Sequence, residues 1–547
     1  MKKITCFIIL VLIHCVSYSK TTLIKNINGY SFDNSGNLIQ FSAMQFTDDK
    51  IVQLFESEND LPQKNMTIID GMGKTLLPGL IDAHGHVLSY GLSLMQVNLN
   101  GAQSATQAVE RAINFHKNNT SSQWLLGRGW NQVLWKNKQY PNAVSLDEYF
   151  KDTPVWFKRV DGHAGWANTK AMQLAGIDRT SVSPDGGEII KDDKGNPTGV
   201  FIDNAMNLIT DNIPKTSSQE MKIALTKAMN ALAKVGLTSV HDAGISEHNI
   251  SVYKELITEN KMPIRVNAMI DINNNNLGTL LAQGHYQSED NKLNINSVKI
   301  SADGALGSRG AALITEYSDL ANHKGLLLYN QQTLALLIAT AMKAGFQVNT
   351  HAIGDHANKI VLDLYQQNLE TVTATNMRHR IEHAQVLRLQ DIERFGKLGI
   401  IASMQATHAT SDKNMAQDRL GKGRIAGAYA WQKLLASNVI IAGGSDFPIE
   451  SANPFYGLHA SVTRQDQQNL PKGGWLSNDA MTIEQAFKSI TVDAAYAAHQ
   501  ENIIGTLTKG KKADFILVNQ DIFKAESSVL WQTQVLETWV NGEKVYD

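Results

Sequence analysis

The middle of this chain alternates short apolar runs with longer stretches of helical composition and spacing. Such alternation of strands and helices is typical of a parallel α/β fold. Eight of the runs have the length and composition of buried strands, and eight parallel strands close a TIM barrel. We therefore predict an α/β fold with a TIM (β/α)8 barrel over residues 78–500. The strand candidates are Gly79–Ala83, Ser239–Asp242, Ile264–Ile270, Ser297–Ile300, Gln347–Thr350, Arg380–Glu382, Ile400–Met404 and Val439–Ala442.

The two ends of the chain have a different character from this middle. Residues 20–77 and 501–547 alternate short apolar segments with turn residues, and Asn541-Gly542 is typical of a hairpin turn. We expect the two ends to pair into one small β-sandwich domain beside the barrel.

A long stretch, about residues 100–215, separates the first and second strand candidates. It is far too long for an ordinary connection between a strand and a helix. We predict an inserted subdomain near the catalytic face, and its aromatic content hints at an apolar or aromatic group on a substrate. Its tryptophans are Trp124, Trp130, Trp135, Trp156 and Trp166.

The N-terminus, residues 1–19, has the pattern of a cleavable signal peptide. A basic pair precedes the apolar run Ile4–Ile13, and small residues suited to cleavage stand before Lys20. The apolar run is shorter than the roughly 20 residues that span a membrane, so we expect no stable membrane anchor after cleavage. This pattern predicts a periplasmic or secreted protein. Both cysteines, Cys6 and Cys15, lie in this leader, so the mature chain would have no disulfide.

The overall composition limits the partners that this chain can have. Its 547 residues are 43% hydrophobic, which is ample for a large core, and its formal net charge is −2. There is no basic stripe of the kind that binds nucleic acid, so we expect none as a partner. We expect a small-molecule substrate and allow for a homodimer.

The first strand candidate runs directly into His84-Gly85-His86. Side chains alternate along a strand, so both imidazoles point to one face. Histidine is the commonest metal ligand, and two imidazoles at a strand end are half of a zinc-type site. Alone, the pair is weak evidence, since a structural histidine pair has the same pattern.

The ends of four later strands add further groups of the same chemistry. Lys299 lies within the fourth strand, His351 follows the fifth, His383 ends the sixth and Asp446 follows the eighth. Barrel enzymes place their chemistry at these carboxyl ends. The alternatives are an ion pair of Lys299, for example with Asp303, and a helix-capping role for Asp446.

With these residues the chain resembles the amidohydrolase superfamily, and most closely its YtcJ-like branch, which includes N-substituted formamide deformylase. The resemblance covers nearly the whole mature chain. Besides the metal-type residues it rests on four further motifs, which are Arg159-Val160-Asp161-Gly162-His163-Ala164, Ser239-Val240-His241-Asp242-Ala243-Gly244, Asp303-Gly304-Ala305-Leu306-Gly307-Ser308-Arg309 and Gly444-Ser445-Asp446-Phe447-Pro448.

The resemblance implies a divalent metal centre, with two zinc ions as the first choice. Lys299 would be carboxylated by CO2 and bridge the two ions, because a buried charged lysine is costly without a partner. Asp446 would also act as a catalytic acid and base. The implied metal-site residues are His84, His86, Lys299, His351, His383 and Asp446.

Two loop residues are candidates for substrate contact, because loops at a barrel mouth often bind. His163 lies in the insertion and Arg309 in a Gly-rich loop after the fourth strand. His408, after the seventh strand, is a weaker candidate and stays outside the metal set. The branch usually has Gly-Trp-Asp where this chain has Asn131, which removes a carboxylate that could hold a substrate group.

Together these features predict an exported metal-dependent amidohydrolase. It would hydrolyse a C–N bond of an amide, N-acyl, N-formyl or cyclic amide, other than a peptide bond, through a metal-activated hydroxide. Fold does not fix the reaction, so two enzyme alternatives remain: a deaminase with one metal ion, and a carbon–oxygen hydrolase. A periplasmic ligand-binding barrel without turnover is the third.

Overall fold

The computed structural model describes residues 19–62, 66–119, 123–159, 164–184, 187–370 and 376–547. Its strands form three sheets: a barrel sheet, a sheet built from both ends of the chain, and a sheet within the insertion. This arrangement confirms the predicted fold class. The predicted signal peptide falls almost wholly outside the described residues.

The barrel sheet contains eight strands, each parallel to its neighbour in chain order. A bridge between Gly85 and Phe447 links its two edges, and Tyr286–Gln287 adds a short antiparallel strand. All eight strand predictions are confirmed, with ends that move by up to four residues. The strands are β1 (Leu80–Gly85), β2 (Leu237–Ile245), β3 (Arg265–Asp271), β4 (Leu293–Ser301), β5 (Gln347–Ala352), β6 (Arg380–His383), β7 (Ile401–Gln405) and β8 (Ile441–Gly444).

The two ends of the chain share one sheet. Thr67–Pro78 pairs in parallel with Thr21–Phe32 and antiparallel with Phe515–Val518, which joins the N-terminal and C-terminal strands. A buried ion pair between Arg265 of β3 and Asp514 ties this sheet to the barrel. The remaining strands of this sheet are Leu38–Phe41, Ala43–Thr47, Lys50–Phe55, Val535–Val540 and Glu543–Tyr546.

The insertion between β1 and β2 has a sheet and hydrophobic clusters of its own. All five of its tryptophans are buried in these clusters, because large apolar surfaces gain most from leaving water. Their burial means that these side chains are not available to contact a substrate, and an apolar or aromatic group on the substrate stays a prediction. The strands of the insertion are Val97–Asn98, Leu125–Trp130, Val155–Arg159, Ala164–Ala167, Gly187–Lys191 and Pro197–Asp203.

Helices connect the barrel strands and cover their outer face. Ser218–Lys234, for example, starts at a capping box of Ser217 and Glu220 and buries its apolar face. The chain then continues from this helix into β2. No helix in the described ranges is long and apolar enough to cross a membrane. The other α-helices are Val87–Ser93, Ala105–Asn118, Val144–Asp147, Thr169–Leu174, Asn207–Thr210, Glu247–Thr258, Leu277–Ala282, Gln331–Lys343, Asp355–Leu369, Leu389–Leu398, Ala406–Asp412, Ala416–Arg424, Trp431–Ala436, Pro454–Thr463, Ile483–Ser489 and Val492–Ala497. Short 3-10 helices span Glu58–Asp60, Gln132–Leu134, Asn204–Met206, Ile425–Gly427, Ser477–Asp479 and Ser527–Gln532.

Candidate active site

A cavity of about 550 Å³ opens at the carboxyl ends of the barrel strands. This is the face on which TIM-barrel enzymes place their chemistry. The structure brings all six predicted metal-site residues into its lining, together with one further histidine. These residues are His84, His86, Lys299, His351, His383, Asp446 and His408.

The two histidines of β1 are fixed through their Nδ1 atoms. Nδ1 of the fully buried His84 is hydrogen-bonded to the carboxylate of Glu382. Nδ1 of His86 lies 2.9 Å from the carbonyl oxygen of Ala243, which can only accept, so Nδ1 carries the proton. These partners leave both Nε2 atoms free to face Asp446, whose Oδ1 is 3.6 Å from His84 and 3.2 Å from His86.

The partner of His84, Glu382, belongs to a buried ion pair that the sequence analysis missed. Nε of Arg380 lies 2.8 Å from Glu382 Oε1, and both side chains are fully buried. Burial raises the pKa of Glu382, but Arg380 and Lys299 lower it, and the net shift is downward. The carboxylate is therefore ionised and holds His84 in one tautomer. The sequence does contain a signal for this pair: Arg380 and Glu382 are two residues apart on one strand, and side chains at that spacing share a face.

Lys299 of β4 is buried without an acidic partner. Its Nζ lies 3.2 Å from His84 Nε2, and no carboxylate oxygen of the described residues lies within 4.0 Å. Burial lowers the pKa of Lys299. The alternative of an ion pair with Asp303 is wrong, because that carboxylate accepts backbone N–H groups instead. Its donors are the amides of Ala312, Ile353 and Gly354.

His351 and His383 lie side by side, with ring centroids 4.5 Å apart. His351 Nε2 is 3.4 Å from Asp303 Oδ1. His383 Nδ1 lies 2.7 Å from Gln405 Oε1, and burial lowers its pKa well below the usual value. A positive φ of 73° at His383 turns the chain at the end of β6.

Asp446 lies two residues beyond the end of β8 with a φ of 62°, and its backbone N–H donates to His84 O at 2.7 Å. Burial raises the pKa of its carboxyl, but His86, His84 and His408 lower it to about 2. The alternative of a helix-capping role is wrong, because the next helix begins at Pro454 with Asn453 as its cap.

His408, in the helix that follows β7, lies in the cavity although it is not part of the metal set predicted from the sequence. Its Nε2 lies 3.6 Å from Asp446 Oδ2. In the part of the chain that the structure describes, two triads have ligand atoms within 4.8 Å of one another, and both contain Asp446. The triads are His84, His86 and Asp446, and His383, His408 and Asp446.

The donor set fits a divalent transition metal. Imidazole nitrogens and carboxylate oxygens are the usual zinc ligands. Three of the buried ligand atoms have no hydrogen bond within the described residues, as expected of atoms that serve another partner. These atoms are His351 Nε2, His408 Nε2 and Asp446 Oδ1.

Of the two residues predicted to contact substrate, one can be placed by the described structure. Arg309 forms an ion pair with Asp319, with contacts of 3.2 and 2.9 Å, and does not line the cavity. His163 lies outside the described residues. Substrate contact by either residue stays a prediction. Asn131, at the place of the missing carboxylate, accepts a hydrogen bond from Arg159 at 3.0 Å.

Comparison with known proteins shows the family to which this chain is similar. The profile of the amidohydrolase family matches residues 67–546. The chain is 32% identical over 491 residues to the putative amidohydrolase YtcJ of Bacillus subtilis, covering 87% of this chain and 89% of that protein. It is 26% identical over 508 residues to N-substituted formamide deformylase of Arthrobacter pascens, covering 88% and 90%. The crystal structure of an uncharacterized metal-dependent hydrolase from Pyrococcus horikoshii aligns with a TM-score of 0.76 at 26% identity, covering 93% of this chain and 99% of that one.

Proposed function

Because this chain belongs to the amidohydrolase family and is a metal-dependent hydrolase of carbon–nitrogen bonds, we propose that its substrate is a small N-acyl, N-formyl or cyclic amide. The observation that carries this proposal is the position of Asp446 between two pairs of histidines at the mouth of the barrel. One relative that aligns over most of this chain is N-substituted formamide deformylase. The activity of that relative supports an amide bond as the bond that this protein breaks.

The proposed cofactor is a pair of divalent ions, with zinc as the first choice. Such ions act as Lewis acids toward a carbonyl oxygen and lower the pKa of bound water. The orphaned ligand atoms in the cavity support the proposal, since buried polar atoms are otherwise hydrogen-bonded. The residues proposed to hold the ions are His84, His86, Lys299, His351, His383 and Asp446.

We propose that Lys299 is carboxylated. Its neutral amine would attack CO2, form an N–C bond and release one proton, giving an anionic group with two oxygen ligands. The support is that Nζ is buried and has no carboxylate within 4.0 Å among the described residues. Burial also lowers the pKa of the amine and so favours its neutral, nucleophilic form.

Asp446 is the proposed proton carrier of the reaction. An ionised carboxylate only accepts, so it can take a proton from water and return it to the departing nitrogen. Its surroundings lower its pKa to about 2, which keeps it ionised before the reaction begins. Glu382 and Ala243 hold His84 and His86 in the tautomers that face it.

A substrate panel tests this function. The zinc-loaded protein is assayed with N-formyl, N-acyl and cyclic amides. Esters are assayed to test the alternative of a carbon–oxygen hydrolase, and aminopurine-type substrates to test the alternative of a deaminase. Amine release from an amide, lost in Asp446→Asn, is the expected result. Turnover of esters alone would instead identify a carbon–oxygen hydrolase, and deamination alone would identify a deaminase. Ligand binding without turnover would identify a ligand-binding protein that is not an enzyme.

We further propose that the protein is exported as a periplasmic or secreted enzyme and works on a small molecule. The support is the leader pattern before Lys20. Intact-mass measurement of the protein from its native cell tests this, with a mature N-terminus at Lys20 as the expected result. A full-length chain that begins at Met1 would overturn it. Light scattering of the same sample distinguishes a monomer from the homodimer that the sequence allows.

A further inference from the structure

We propose that His408 is a metal ligand and that it completes the donor set of the second ion with His383 and Asp446. The inference rests on the proposed metal-dependent function and deepens it, because position 408 lies outside the residue set predicted from the sequence. With His408 as a ligand, the second ion would lie nearer the helix that follows β7 than the residues predicted from the sequence imply.

The ligand atoms of His408 and its neighbours meet in space. Nε2 of His408 lies 3.6 Å from Oδ2 of Asp446, and the ligand atoms of His383, His408 and Asp446 all lie within 4.8 Å of one another. Two ligands of one zinc ion, each about 2.0–2.2 Å from it, are separated by a distance of this order. The triad is therefore close to the dimensions that an ion requires.

The two oxygens of Asp446 divide the site into two halves. Oδ1 faces His84 and His86, whereas Oδ2 faces His408. A carboxylate with histidines on both sides can bind one ion through each oxygen. In the second triad, His408 adds a third ligand atom to those of Asp446 and His383.

A purely structural role does not account for the position of His408. Its Nε2 is buried and has no hydrogen-bond partner in the described residues. Its ring lies nearly parallel to that of His383, at a tilt of 21° and a centroid distance of 5.8 Å. The two rings thus stand at one side of the cavity with a nitrogen of each close to the same carboxylate.

His351, near the carboxyl end of β5, is less well placed for this ion than His408. Its Nε2 lies 3.4 Å from Asp303, and it belongs to neither triad of ligand atoms in the described chain. Among the described residues, His408 and not His351 thus shares a triad of ligand atoms with His383 and Asp446. The ring of His351 still lies beside that of His383, with centroids 4.5 Å apart, so His351 can supply a further ligand atom.

Metal titration of the apo-protein tests the inference without an activity assay. Zinc is added in competition with a chromogenic chelator, and bound ions are counted by elemental analysis of wild type and His408→Gln. We expect two ions in wild type, and in His408→Gln one unchanged ion and a second bound at least about 10-fold more weakly. His356→Gln is the matched control, since His356 lies in the helix after β5, at the same face, but in neither triad.

The outcomes separate this inference from the proposed function. Unchanged binding of two ions by His408→Gln overturns the role of His408 and leaves the proposed function intact. A wild-type protein that binds no ion overturns the proposed function itself.

A second variant covers the case in which His408→Gln does not fold. Both native cysteines lie within the predicted leader, so His408→Cys in the mature chain has a single thiol. Cobalt loading of this variant produces a thiolate-to-metal charge-transfer band if position 408 binds the ion. Absence of that band in a cobalt-loaded, folded variant overturns the inference.

Discussion

His84 on β1 and Glu382 on β6 are joined by a hydrogen bond between Nδ1 and the carboxylate, although the two strands are not neighbours in the barrel sheet. Neither side chain is exposed, and the carboxylate is also paired with Arg380. Metal-binding histidines commonly donate their second ring N–H to a carboxylate, which sets the tautomer and the ring orientation. The orientation of one proposed metal ligand is thus determined by the strand that carries another, His383.

Glu382→Gln is expected to weaken metal binding. The amide keeps the size of the carboxylate but loses its charge, so His84 becomes a less basic ligand and Arg380 loses its ion partner. Loss of such a partner typically lowers metal affinity about 10–100-fold. Chelator competition measures this, with the exposed Glu393→Gln as the control. Unchanged affinity would show that the Glu382 charge does not tune the site.

Gly85→Ala is expected to disturb both histidines of β1. A Cβ at position 85 would lie 2.3 Å from a ring carbon of the buried Phe447. Overpacking of this kind costs about 1–3 kcal/mol of unfolding free energy. Urea unfolding measures the cost, and metal content measures the displacement of the ligands. Gly278→Ala, where the added carbon meets open space, is the control. Combining Gly85→Ala with Phe447→Leu should recover part of the loss.

Arg265→Met is expected to destabilise the contact between the barrel and the terminal sheet. Both Arg265 and Asp514 are buried and form a two-pronged pair, with contacts of 2.6 and 2.9 Å. Removing one partner of such a pair costs about 3–5 kcal/mol, because the other charge stays buried. Thermal unfolding measures the effect. The double variant with Asp514→Asn should lose less than the two single changes together, and simple additivity would argue against direct coupling.

Asp493→Asn is expected to stabilise the protein at neutral pH. Burial raises the pKa of Asp493 to about 6, although Lys488 lies 3.8 Å away. The folded state then binds this proton more tightly than the unfolded chain, so the favourable contribution is full below about pH 4 and is lost as pH rises to about 6. Removing the charge should raise the free energy of unfolding by roughly 2–3 kcal/mol at pH 7.5 and change it little at pH 4. Urea unfolding at both pH values checks this, and an equal effect at both would contradict it.

The proposed substrate should be neutral or cationic rather than anionic. Carboxylates of Asp271, Asp412 and Glu450 line the cavity, and Lys299 is the only lysine or arginine in its described lining. A substrate carboxylate would meet like charges there, which disfavours binding. We expect N-formyl amines to have a lower KM than N-formyl amino acids of equal size. Glu450→Gln should narrow that difference, and a preference of the wild type for anionic amides would count against this account.

The sequence predicted the barrel well because its signals are local. Each strand is a short apolar run, and the residues at the strand ends, such as His84, Lys299 and Asp446, are recognisable within a few positions of it. The structure places these residues in one cavity, as the fold requires.

The residues that the sequence did not single out depend on contacts between distant strands. Glu382 gains its role only when the folded barrel brings its side chain to His84, 298 residues away in sequence. His408 lies in a helix rather than on a strand, so strand alternation gave it no fixed direction. For Arg309 the loop position was visible, but the pairing with Asp319 was not.

Asp446 is proposed to lie between two metal ions, with a pair of histidines on each side. An anomalous difference map from a crystal of the zinc-loaded protein, collected at the zinc absorption edge, locates both ions directly. We predict two peaks in the cavity, one beside His84 and His86 and one beside His383 and His408, each adjacent to an oxygen of Asp446. A cavity without a peak, or a single peak remote from Asp446, would contradict the claim.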